Sequence, residues 1–151
     1  MGTIGFIGGG IMAEALISGI LNSSSYQPNQ IKVSDPIKTR ITELKKRYGI
    51  TCSTNNQKII KESSIVIIAV KPQHIETVLE EIKIFGESTQ IIISIVAGAN
   101  LNLLTSKVGH SSVVRVMPNT PAQTGDGMIE WTAAKGISQK HHPIISDILK
   151  S

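Results

Sequence analysis

The chain has a single cysteine, Cys52, and aromatic residues make up only 3% of its 151 positions. One thiol excludes an internal disulfide and points to a reducing, cytoplasmic home. Cys52 reads as a small strand residue, because no partner that would activate a thiolate is identifiable near it. So few rings leave little on which nucleic-acid bases could stack. The Lys and Arg residues behind the net charge of +4 are also spread out rather than clustered. Such a surface suits a polyanionic small molecule, and no nucleic acid is expected. No apolar run approaches the ~18–20 residues that span a bilayer, so no membrane association is expected. No basic region precedes the first apolar run, and no signal peptide is expected. Cys and His residues at zinc spacing are lacking. His141 and His142 are adjacent, and neighbours on a helix point apart, so no metal is expected. His74 and His110 are isolated, and no nucleophile elbow is visible.

What is present is a hydrophobic fraction of 40% against 17% charged residues, the balance of a folded α/β domain. Near its start the chain runs Thr3-Ile4-Gly5-Phe6-Ile7-Gly8-Gly9-Gly10-Ile11-Met12-Ala13-Glu14-Ala15. A short apolar run ends in glycines, and a helical pattern follows at once. The motif Gly8-x-Gly10-x-x-Ala13 has the G-x-G-x-x-G/A form of the dinucleotide fingerprint. Gly8 permits a sharp turn off the strand. Gly10 leaves the backbone open to a pyrophosphate. Ala13 lets the new helix lie close to the sheet. The helix start offers N–H groups and a positive dipole end to the phosphates.

Strand and helix signals then alternate to the end. They predict a Rossmann-like, doubly wound parallel sheet with helices on both faces. Strands are expected over about Thr3–Ile7, Ile31–Ser34, Ile50–Ser53, Ile65–Val70, Gln90–Val96 and Val113–Met117, with a seventh over Met128–Thr132. The first helix, about Ile11–Leu21, is expected to bury Met12, Ala15, Leu16, Gly19 and Ile20. A basic amphipathic helix over about Thr39–Tyr48 ends at Gly49. Asn55 and Asn56 should cap a short helix through about Glu62. Pro72 opens a helix to about Phe85. Another helix covers about Leu101–Val108, and a last helical segment begins near Ser138. The chain stops there without a further strand, so residues 1–151 are expected to be one NAD(P)-binding domain of a longer protein.

In open α/β sheets ligands bind outside the carboxyl ends of the strands. Those exits are Gly8–Met12, Ser34-Asp35, Asn55-Asn56, Ala69–Pro72, Ile95–Gly98 and Met117–Ala122, which are small, polar or proline-bearing. An acid at the second exit selects NAD, and basic residues there accommodate NADP. Asp35 is such an acid, with Lys38 and Arg40 close behind it, so the preference stays open. The alternative reading makes Asp35 a turn-former before Pro36 and Arg40 a solvated helix residue. Lys71 is a candidate partner for the cofactor or for a substrate carboxylate. Pro118-Asn119-Thr120-Pro121 is stiffened by two prolines, which suits a ring amide or a small substrate.

Four stretches together resemble one family, the pyrroline-5-carboxylate reductases. They are Gly5 through Ala15, Ala69-Val70-Lys71-Pro72-Gln73, Ser94-Ile95-Val96-Ala97-Gly98, and Val114-Arg115-Val116-Met117-Pro118-Asn119-Thr120-Pro121-Ala122. The first is shared by many dehydrogenases, and the last is far more specific to this family. The resemblance implies reduction of 1-pyrroline-5-carboxylate to L-proline, the last step of proline biosynthesis, with NADPH or NADH. By motif it places Ile7, Gly8, Gly9, Gly10, Ile11, Met12 and Ala13 at the pyrophosphate. Ser34, Asp35 and Arg40 fall at the adenosine ribose or its phosphate. Asn56 becomes a cofactor and substrate-side contact. Ala69, Val70, Lys71 and Pro72, with Ile95, Val96 and Ala97, flank the nicotinamide half. Asn119, Thr120 and Pro121 lie near the ring, and Lys71 joins Asn56 on the substrate side. No catalytic acid or base is assigned in this chain. The resemblance also implies a helical C-terminal domain, missing here, that makes a homo-oligomer and supplies most of the substrate site. Two other readings are a β-hydroxyacid dehydrogenase and a non-catalytic nucleotide-binding module. The Met117–Ala122 loop argues against the first.

Overall fold

Isoleucine and valine dominate the predicted strands, and β-branched side chains favour the pleated, buried surface of a sheet. In the computed structural model, which describes residues 2–117 and 130–150, these runs form one seven-stranded sheet. The strands are β1 (Ile4–Ile7), β2 (Ile31–Ser34), β3 (Thr51–Ser53), β4 (Ile65–Ile68), β5 (Ile91–Ser94), β6 (Val113–Met117) and β7 (Glu130–Ala133). Their order is β3-β2-β1-β4-β5-β6-β7. The chain moves outward from β1 to one edge, then returns past β1 to build the other. That reversal puts a switch point between β1 and β4, where a crevice opens at the carboxyl ends. In register, Ile4 faces Ile31 on one side and Ile65 on the other.

Helices α1 (Ile11–Asn22), α2 (Lys38–Tyr48), α3 (Asn56–Lys61), α4 (Ile75–Phe85), α5 (Leu101–Val108) and α6 (His142–Lys150) cover the two faces. One apolar cluster joins Ala13, Leu16, Ile17 and Ile20 of α1, Leu44 of α2, and Ile145, Ile148 and Leu149 of α6 to one face of the sheet. The other cluster joins Ile59 and Ile60 of α3, Ile75, Val78, Leu79 and Ile82 of α4, and Leu104 and Val108 of α5 to the opposite face. A strand buried on both sides has no polar face to show, which is why β1, β4 and β5 read as continuous apolar runs. The doubly wound architecture read from the sequence is therefore the one found.

Several local expectations also hold. Gly49 terminates α2 in the left-handed region, with φ 70°. Asn55 caps α3, its side chain accepting the Gln57 N–H at 3.0 Å. Pro72 begins a short 3₁₀ turn that leads into α4.

Three expectations need correction. The buried stripe of α1 is Ala13, Leu16, Ile17 and Ile20, whereas Met12 and Ala15 are exposed. The stripe follows the i, i+3, i+4, i+7 spacing that starts from Ala13, so Met12 is turned out of it. Pairing in β4 stops at Ile68 and in β5 at Ser94, so Ala69, Val70, Ile95 and Val96 form the exits rather than the strands. β7 pairs antiparallel with β6, with Arg115 opposite Thr132, in an otherwise parallel sheet. An antiparallel partner needs no crossover helix, so an edge strand of this kind can close a parallel sheet.

Candidate nucleotide-binding site

The chain turns sharply at the carboxyl end of β1. Gly8 has φ 102°, and its N–H donates to Ser34 O at 2.8 Å. A Cβ at this position would lie 2.5 Å from Ala69 O, so both the dihedral and the contact with the β4 exit require glycine. Gly9 packs on the other side, where a Cβ would meet Leu44 Cδ1 at 2.9 Å and Val33 Cγ1 at 3.1 Å. Gly10 differs from both. It has ordinary extended dihedrals, φ −79° and ψ −165°, and a Cβ there would meet nothing within 4 Å. No side chain caps the first turn of α1. The fold thus demands glycine at position 8, and at position 9 a side chain would have to displace Leu44 and Val33. At position 10 it leaves bare backbone in front of an uncapped helix start, which fits the close approach of a phosphate pair.

Polar side chains of β2 and α2 brace this loop. Asp35 Oδ2 accepts the Gly9 N–H at 2.9 Å, and Oδ1 accepts the Ile37 N–H at 2.9 Å. Arg40 donates from Nε to Gly9 O at 2.5 Å and from a terminal nitrogen to Gly10 O at 3.3 Å. The guanidinium also pairs with Glu14 at 2.7 Å and Glu43 at 2.9 Å. Glu14 receives Arg47 and the Tyr48 hydroxyl, the latter at 2.7 Å. The Tyr48 hydroxyl foremost, then Arg40, with Arg47 adding to both, hold the Glu14 carboxyl down at about 2, against a smaller opposing effect of burial. The same bond to Glu14, with burial, pushes the Tyr48 hydroxyl up.

Beside the loop lies a cleft of about 240 Å³. Gly8, Ser34, Pro36, Thr54, Asn56 and Val70 line it from the strand exits, and His74, Thr77, Val78 and Glu81 from the far side. Asn56 is held at both ends. Its Oδ1 accepts from Ser34 Oγ at 2.6 Å, and its Nδ2 donates to Glu81 Oε1 at 3.1 Å. A larger cleft, about 460 Å³, lies at the amino ends of β4 and β5 among Lys61, Ser63, Ser64, Phe85, Thr89 and Gln90. It touches none of the sequence-predicted residues and sits at the end of the sheet where parallel α/β folds do not bind ligands.

The predicted residues gather along one rim, in different ways. Ile7, Ile95 and Val96 are buried in the apolar clusters, so they can offer a ligand only backbone. Ala69 and Val70 are half-buried against the two clusters. Lys71, Pro72 and Ala97 are exposed. Ile11 and Met12 stand 87% and 50% exposed at the mouth of the loop, unusual for large apolar side chains. Asn119, Thr120 and Pro121 lie outside the described residues. Among the described residues no group of three or more His, Cys, Asp or Glu is arranged to hold a metal ion, and no helix is long and apolar enough to cross a membrane.

Sequence reasoning missed Glu14, Tyr48 and Glu81. The i,i+3 and i,i+4 pairs Arg40–Glu43 and Glu43–Arg47 are legible as surface ion pairs of one helix. Nothing in the sequence says that Glu14, on another helix, joins them.

Residues 3–98 match the family model described as NADP oxidoreductase, coenzyme F420-dependent. The pyrroline-5-carboxylate reductase of Synechocystis sp. is 36% identical over 132 residues, covering 87% of this chain and 49% of the relative. Among solved structures, a pyrroline-5-carboxylate reductase from Coxiella burnetii superposes with a TM-score of 0.89 at 29% identity, covering 99% of this chain and 56% of that one. The Plasmodium falciparum enzyme, solved with NADP bound, gives a TM-score of 0.82 at 29% identity over 98% of this chain and 54% of its own. The chain spans about half the length of the relatives it matches. The resemblance read from four short motifs thus extends over nearly the whole chain.

Proposed function

The chain belongs to the family described as NADP oxidoreductase, coenzyme F420-dependent, and from that premise we propose that it is the dinucleotide-holding part of a pyrroline-5-carboxylate reductase, converting 1-pyrroline-5-carboxylate to L-proline. The observation that carries this reading is the bare backbone at Gly10, with no atom within 4 Å of a built Cβ, before an uncapped helix. When bound, NADPH or NADH supplies the hydride that reduces the cyclic imine. The backbone from Gly8 to Ala13 and the first turn of α1 hold the diphosphate. Ser34, fixed by its hydrogen bond to Asn56, lines the cleft for the adenosine end. The exits Ala69–Pro72 and Ile95–Ala97 support the nicotinamide half and shield it from water with the apolar clusters behind them. Asn56 and Lys71, with Asn119, Thr120 and Pro121, are the substrate-side candidates of this chain.

The reduction adds a hydride to the imine carbon and a proton, taken up from solvent, to the nitrogen; the iminium so formed accepts hydride directly, and no proton-transferring side chain is assigned on this part. The catalytic task is to hold donor and acceptor within about 3–3.5 Å of each other. The relatives are about twice as long, and to a further C-terminal domain we assign the tasks of completing the substrate site and joining two copies. The protein works in the cytoplasm. The test is a fluorescence titration of the chain with NADPH and NADH, followed by NAD(P)H oxidation with 1-pyrroline-5-carboxylate once the remaining half is restored. Binding by the chain alone, with turnover only in the longer protein, is the expected result. No imine-dependent oxidation in the longer protein would overturn the substrate assignment.

A further inference from the structure

The guanidinium of Arg40 is committed before any ligand arrives. Four of its donor contacts go to Gly9 O, Gly10 O, Glu14 and Glu43, and its side chain is only 19% exposed. An arginine that selects a 2′-phosphate needs its fork free to face that phosphate. This fork faces the glycine loop instead.

The consequence follows from peptide geometry. In a trans peptide the C=O and the following N–H point in opposite directions. Arg40 draws Gly9 O toward itself, which turns the Gly10 N–H away from α2. Gly10 O accepts the Glu14 N–H at 3.0 Å as the first acceptor of α1 and Arg40 only at 3.3 Å, so the helix itself directs the Ile11 N–H. Asp35 fixes the preceding residue by accepting the Gly9 N–H at 2.9 Å. No atom lies within 4 Å of a Cβ built on Gly10, so the backbone beside the Gly10 and Ile11 donors is open. Glu14 holds the guanidinium from behind, and its strongly depressed carboxyl keeps that anchor charged across the neutral range.

We infer that Arg40 is a positioning residue for the diphosphate loop, fixing the Gly9–Gly10 peptide with its N–H toward the ligand beside the Ile11 N–H that α1 presents, and that it takes no part in choosing between NADPH and NADH. The inference rests on the dinucleotide reading of this site.

Four probes separate the roles: ADP, which carries a diphosphate without a 2′-phosphate; 2′-AMP, which carries the reverse; NADH; and NADPH. Each is titrated against the native chain, Arg40→Gln and Arg40→Lys, with thermal unfolding recorded alongside. A lysine keeps the charge but lacks the planar fork that bridges two carbonyls. Arg40→Gln is expected to weaken ADP, NADH and NADPH by a common factor of about ten and to leave 2′-AMP unchanged. Arg40→Lys, the milder change, is expected to show the same pattern. Selective loss of NADPH and 2′-AMP, with ADP and NADH intact, would overturn the inference in favour of direct 2′-phosphate contact. A lowered melting temperature with every affinity intact would also overturn it, leaving Arg40 as a clasp between helices. If the native chain binds none of the four, the dinucleotide reading itself fails and the inference falls with it.

Discussion

Three consecutive glycines look alike in the sequence and do different work. Gly8 is required by its own backbone, with φ 102° and Ala69 O only 2.5 Å from a built Cβ. Gly8→Ala is expected to destabilise the chain by at least about 2 kcal/mol, from dihedral strain and the forced separation of β1 and β4. Gly10→Ala places a methyl in open space on permitted dihedrals. Its unfolding free energy in urea is expected to stay within about 0.5 kcal/mol of the native chain's, while affinity for NADPH falls more than about tenfold. Equal loss of stability in the two variants would show that position 10 belongs to the fold and not to a ligand. The motif spacing marked these positions as special. It could not say which glycine the protein needs for itself, because that depends on where β4 and α2 come to rest.

At the scale of elements, the unusual member is α2, which buries one side chain, Leu44. A helix so lightly anchored by apolar contact depends more than its neighbours on polar ties. Here they run from Arg40, Arg47 and Tyr48 to Glu14 on α1. Glu14 has a folded-state value of about 2 against an ordinary 4.5, so its ionised form favours the folded state. That contribution is complete above about pH 4.5 and is lost as the pH falls through the range toward 2. Glu14→Gln removes it. Urea unfolding is expected to find the variant less stable than the native chain at about pH 6, with the gap closing as the pH falls below about 4. A gap that stayed constant would mean that the carboxylate contributes shape and not charge. The basic, amphipathic character of α2 was legible from its spacing. Its polar partners on α1 were not, since nothing in a one-dimensional pattern pairs Glu14 with residues some 30 positions away.

For the whole molecule, stability should grade from the centre of the sheet to its edges. β1, β4 and β5 are buried on both faces, while β3 and β7 are short edge strands with exposed positions. Native-state hydrogen exchange is expected to be slowest in β1, β4 and β5 and fastest in β3 and β7. Slow exchange in β7 matching that of β5 would contradict this gradient. The same centre-to-edge arrangement sets the site, because the loop after β1 and the exit of β4 meet at the switch point. A ligand held there would rest on the strands expected to exchange slowest.

Sequence alone determined the alternation of strands and helices, the winding over both faces, the glycine loop after the first strand and the caps at Asn55 and Gly49. Each is a local signal: hydrophobic period, turn chemistry or a residue confined to one dihedral region. Only the tertiary structure decided that Met12 faces outward, that β7 runs antiparallel, that Asn56 is held between Ser34 and Glu81, and that Arg40 grips the loop carbonyls. Those outcomes depend on which distant segments meet. That is fixed by burying two apolar faces of one sheet together, a condition no short stretch of chain contains.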